Sequence, residues 1–140
     1  MIDQSIIFFL AAIIVVGALV FALICATKKG RQHLNVEYYR AKCLEIEHQL
    51  KRDELSSYHL SVLNAEKLLD KALTERGFGN KSTGEKMKNA AKLFSDRNGI
   101  WNAHKLRNKI AHEQDAYITY EQARYALASF RQALKDLGAI

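Results

Sequence analysis

Residues 119–138 read TYEQARYALASFRQALKDLG. Tyr120, Ala123, Leu127, Phe130, Leu134 and Leu137 recur at alternating spacings of three and four, which is the apolar stripe of one helix face. Thr119 stands where an N-cap belongs, Gln122 follows at the third helical position, and Gly138 lies just past the last apolar residue. Start, face and stop agree, and no run elsewhere alternates with the period of two that marks a strand. The chain is predicted to be all-α.

Working back from this helix, the same period returns at Leu55, Tyr58, Val62, Ala65, Leu69 and Ala72. Gly77-Phe78-Gly79-Asn80-Lys81 is a flexible break. Ser82 and Glu85 then form a capping-box pattern before a short helix, with Met87, Ala90, Ala91 and Phe94 on one face and Lys86, Lys88 and Lys92 turned away. Ser95 to Gly99 is a turn, and another helix begins near Ile100, its core stripe running through Ala103, Leu106 and Ile110. Gln114 to Ile118 connects it to the last helix. Four helices with short loops predict an antiparallel four-helix bundle over residues 55–140.

The N-terminal region differs in kind. Ile6 to Ala26 is apolar throughout, interrupted only by Gly17, and no Lys or Arg occurs before Lys28. A helix of that length spans a hydrocarbon core of about 30 Å. Met1 to Gln4 supplies no basic start for a cleaved signal peptide. Residues 1–27 are therefore predicted to be a single transmembrane anchor. Lys28, Lys29 and Arg31 against Asp3 predict an outside N-terminus and a cytoplasmic C-terminal domain. Residues 28–54, weakly patterned and crowded with charge, are predicted to be a juxtamembrane helical stalk, continuous or nearly so with the next helix because Pro is absent and Gly does not recur before Gly77.

All 21 Lys and Arg follow the apolar run, and of the 15 Asp and Glu only Asp3 precedes it. From Lys71 to Lys109 ten basic residues face three acidic ones, Glu75, Glu85 and Asp96. Such a segment suits an anionic partner, RNA or an anionic membrane surface, although a solvated helix face has the same composition. Cys25 and Cys43 fall in different surroundings and have no metal-ligand spacing; His33, His48 and His59 likewise lack ligand partners. Around Gly77 to Thr83, Glu75 and Asn80 occupy the places of P-loop glycines, and the loop follows a helix rather than a strand. No metal and no cofactor is expected.

Arg107-Asn108-Lys109-Ile110-Ala111-His112 carries the chemistry. An imidazole exchanges protons near neutral pH, and a guanidinium forks onto phosphate. Together they are the minimum for metal-free phosphodiester cleavage. Residues five apart on a helix point roughly 140° away from each other. Arg107 and His112 can therefore act together only if the helix kinks or a second copy supplies one of them. Trp101, His104, Asn108 and His112 form a separate ridge beside the core stripe, suited to another subunit or to an RNA backbone.

Arg107 followed by the polar Asn108, with His112 after four intervening residues, resembles the Arg-x(4–6)-His signature of HEPN domains; the flanking residues 103–113 and the four-helix order are also similar. The resemblance covers about Leu55 to Gly138. It implies a metal-independent, toxin-like endoribonuclease that works as a homodimer, with Arg107 and His112 catalytic. His112 would be the general base for the RNA 2′-hydroxyl, Arg107 would stabilise the phosphate, and 2′,3′-cyclic phosphate ends would result. Asn108 would be auxiliary, and His104 is added to it from the helical ridge. Lys88, Lys92, Lys105 and Lys109 are the expected RNA-binding cations, and an antitoxin-like protein is a further expected partner. The competing expectation is a non-catalytic, membrane-tethered module for RNA or protein binding and dimerisation. An envelope scaffold whose basic segment touches anionic lipid is a third.

Overall fold

The computed structural model describes residues 2–28 and 33–140. Among them there is no strand, and six α-helices account for most of the chain: α1 Gln4–Lys28, α2 Val36–Gln49, α3 Leu55–Leu73, α4 Thr83–Asn89, α5 Arg97–His112 and α6 Tyr120–Asp136. The chain divides into two compact units, residues 1–32 and 33–140.

The first unit holds α1, whose stretch Gln4–Ala26 is 23 residues long and apolar enough to cross a membrane. Of the cations that set the predicted orientation, Lys29 and Arg31 lie outside the described residues.

In the second unit α3 is the central helix, packing against α2, α5 and α6, while α5 also packs along α6. The stripe of α6 is buried from Ala123 to Leu137, with Phe130 and Leu134 each about 1 % exposed. Burying side chains of this size stabilises the fold by roughly 1.5–3 kcal/mol each. The ends of α6 follow from its caps. Thr119 Oγ1 accepts the Gln122 amide at 3.1 Å, and Gln122 Oε1 accepts the Thr119 amide at 2.9 Å. At the other end Gly138 takes φ +76°, and the Ala139 amide reaches back to the Leu134 carbonyl at 2.9 Å.

The expected stalk is corrected. Within residues 28–54, α2 is a core helix of the second unit: Tyr39, Cys43 and Ile46 are buried, as is Leu34 just before it. The Tyr39 hydroxyl donates to Glu75 Oε2 at 2.7 Å, and Arg131 of α6 pairs with Glu47 at 2.7 Å. Nor is α2 continuous with α3. The Ser57 hydroxyl donates to the Glu54 carbonyl at 2.7 Å, with the Lys51 carbonyl also in reach of that proton at 3.1 Å, and accepts the Lys51 amide, while the Tyr58 hydroxyl accepts the amide of Asp53, which has φ +64°. Side chains, not Gly or Pro, satisfy this turn.

The break near Gly77 is a π-helical turn, Thr74–Phe78, in which Gly77 has φ +108°. At the start of α4 the Ser82 hydroxyl accepts the Glu85 amide at 3.3 Å; of the expected face, Met87 in α4 and Ala90 and Phe94 just after it are buried, and Ala91 is half-buried. Lys86 is not turned away. It is 7 % exposed, with its ammonium 2.9 Å from Asp70 Oδ1 and 2.9 Å from Thr74 Oγ1.

Candidate functional site

α5 begins three residues earlier than expected because Asp96 caps it, its Oδ1 accepting the Gly99 amide at 2.9 Å. It then runs as continuous α-helix to His112. No kink turns the end of the hexapeptide back, so helical geometry keeps Arg107 and His112 roughly 140° apart within one chain.

Three of the four catalytic and auxiliary candidates meet around a residue the sequence reading missed. Glu66 of α3 is 3 % exposed and meets α5 with both carboxylate oxygens. Arg107 Nε lies 2.7 Å from Oε2, and His104 Nδ1 bonds Oε1. The Arg107 contact is an ion pair rather than an aligned hydrogen bond. Arg107 Nη1 donates to Asn108 Oδ1 at 3.3 Å, which leaves the Asn108 amide nitrogen facing His104 Nε2, also at 3.3 Å. The amide is a donor, so Nε2 is the acceptor and the His104 proton sits on Nδ1, directed at Glu66. Every donor in the chain of bonds leads to one buried carboxylate.

Packing holds this arrangement. Trp101 meets His104 edge-on with ring centroids 5.5 Å apart. Gly84 of α4 lies over His104, where a Cβ would stand 3.3 Å from Nε2, so a residue without a side chain lets α4 close on the imidazole. The ridge of Trp101, His104 and Asn108 thus folds largely onto its own α3 and α4 rather than standing free. Glu66 carried a usable signal: it lies four residues after Val62 and three before Leu69, inside the apolar stripe of α3.

His112 is outside this cluster. It is exposed at the last position of α5, and its imidazole makes no hydrogen bond or ion pair with a described residue. Lys88, Lys92, Lys105 and Lys109 are exposed, and the Lys88 ammonium sits 6.0 Å from the centre of the Trp101 ring. His59 is a fastening of the fold, its Nε2 lying 2.9 Å from the Ala116 carbonyl in the loop before α6. Cys43 is buried, and desolvation raises its thiol above the ordinary cysteine value, which makes it a poor nucleophile.

Arg107 remains partly open, its side chain 36 % exposed. A guanidinium with Nε and Nη1 engaged internally still has Nη2 donors with which to meet an anion. No protein-family model, curated protein or solved structure matches this chain.

Proposed function

We propose that residues 55–140 form a HEPN-like antiparallel four-helix bundle and act as a metal-independent endoribonuclease, anchored by α1 with its N-terminus outside and the bundle in the cytoplasm. The observation that supports this reading is the clustering of Arg107, Asn108 and His104 on buried Glu66, with Arg107 still open to an anion. In the reaction, the 2′-oxygen bonds the adjacent phosphorus as His112 takes its proton. Arg107 neutralises the developing phosphorane charge. The bond from phosphorus to the 5′-oxygen breaks, and that oxygen takes a proton from water. Because α5 is straight, His112 comes from a second copy, which makes the active form a homodimer. The RNA approaches across Lys88, Lys92, Lys105 and Lys109, and an antitoxin-like protein is the restraining partner.

The separation of His112 from the cluster favours a second reading, a non-catalytic module that binds RNA or protein through the same face. The two divide on one experiment. The full chain, reconstituted in zwitterionic nanodiscs, is incubated with RNA in EDTA beside Arg107→Ala and His112→Ala. The nuclease reading expects 2′,3′-cyclic ends, lost in both variants. Equal cleavage by all three proteins overturns it. Salt-dependent RNA binding without cleavage selects the module.

A further inference from the structure

Arg107 borders a cleft of about 440 Å³ between α3, the start of α4 and α5, lined chiefly by Asn64, Glu66, Lys67, Asp70, Thr83 and Arg107. Its two carboxylates are each spoken for. Glu66 is paired with Arg107, and Asp70 is paired at 2.9 Å with buried Lys86 and also accepts the Thr83 hydroxyl at 2.8 Å. Lys67 is exposed and makes no ion pair with a described residue, so it is the uncompensated charge of the cleft. Arg107 spends Nε on Glu66 and Nη1 on Asn108, and Nη2 makes no such bond among the described residues. The charged groups lining the cleft balance, but both carboxylates are engaged internally, with Asp70 held by buried Lys86 from behind, so the cleft offers two cationic groups with spare donors.

We infer that this cleft is a phosphodiester subsite for single-stranded RNA, with Lys67 and the outer edge of Arg107 holding one phosphate and Glu66 acting as the positioning residue for Arg107. The inference rests on the RNA reading above and extends it to α3.

The role of Glu66 sets the sign of its effect on binding. A carboxylate merely near a bound phosphate repels it, and neutralising that carboxylate tightens binding. A carboxylate that aims the arginine does the opposite. Gln cannot replace it, because Arg107 Nε and His104 Nδ1 both need an acceptor and an amide has one oxygen. Whichever way the amide turns, its nitrogen meets a donor. If it meets His104, the imidazole changes tautomer and then opposes the Asn108 amide.

The test uses the full chain in zwitterionic nanodiscs and a fluorescent 2′-O-methyl oligoribonucleotide, which lacks the attacking hydroxyl and so reports binding alone. Anisotropy is followed against salt in EDTA, with thermal melting as the folding control. Lys67→Ala is expected to weaken binding about three- to tenfold and to lower the slope of log affinity against log salt by roughly 0.7, the value for one phosphate on a single strand. Lys67→Arg keeps the slope. Glu66→Gln is expected to weaken binding although it removes a negative charge. Tighter binding by folded Glu66→Gln, or an unchanged slope in Lys67→Ala, overturns the inference while wild-type RNA binding leaves the RNA reading standing. Lys67 is exposed, so its variant decides the matter even where Glu66→Gln does not fold. A wild-type protein that binds anionic vesicles but not the oligonucleotide overturns both.

Discussion

Arg107 and His112 belong to one helix and live in opposite environments. Arg107 is held from behind by a buried carboxylate on another helix, beside an imidazole and an amide that share the same network. His112 ends the helix in the open, with no described side chain orienting its ring. The first is preorganised by the fold of one chain. The second has its geometry to gain from whatever docks against it. Under the proposal above, the first half would meet the anion and the second would be completed by a second copy, which is the physical content of the proposed homodimer.

The preorganised half can be broken at its centre. Glu66→Ala removes the acceptor for both Arg107 Nε and His104 Nδ1 and leaves a void beneath α5. Losing one partner of a buried ion pair destabilises by about 3–5 kcal/mol. Because Arg107 is about one-third exposed, water recovers part of this, and we expect about 2–4 kcal/mol. Urea unfolding of the full chain in micelles measures it. A loss under about 1 kcal/mol would mean that Glu66 is not what distinguishes the two ends of the hexapeptide.

What the sequence disclosed of this contrast was the local part. The Thr119 and Ser82 caps, the Gly77 break and the α6 stripe are set by residues within a few positions of one another, so their signals survive in one dimension. The membrane-length apolar run is legible for the same reason. Glu66 interrupts an apolar stripe, but what it pairs with was hidden, because its partners stand 38 and 41 positions away along the chain. Lys86 was hidden in the same way by its pairing with Asp70. In α2 the deception ran the other way. Leu44 and Tyr38 are exposed, whereas the face that packs is Tyr39, Cys43 and Ile46, two of them weakly hydrophobic.

Tyr39 extends the comparison of hidden and open partners to α2. Burial, reinforced by the Glu75 carboxylate, raises its phenol well above the ordinary tyrosine value. Folding thus favours the protonated form. The stabilisation is fully present below the unfolded tyrosine value of about 10 and is lost as pH rises from there toward the folded value, because the unfolded chain releases its proton first. Tyr39→Phe removes both the hydrogen bond to Glu75 and this dependence. We expect it to lower stability by about 1 kcal/mol at neutral pH. The gap from wild type should then narrow above roughly pH 10. Urea midpoints measured across that range check the sign, and a gap that stays constant would show that Tyr39 ionises alike in both states.

The smallest expected effect is the most telling about the open end. His112→Ala should change unfolding stability by no more than about 0.5 kcal/mol, since it removes an exposed side chain. A terminal histidine can interact favourably with the last carbonyls of its helix, and that contribution is included in the figure. The informative measurement is the same substitution against self-association, followed by sedimentation of the full chain in micelles. If His112 lies in a shared cleft, its loss leaves the monomer's stability alone and alters either the dimer or what the dimer does. A destabilisation of about 2 kcal/mol or more would instead place His112 in a fold contact within its own chain. The hexapeptide would then have two structural ends, and the contrast between them would no longer point to a second copy.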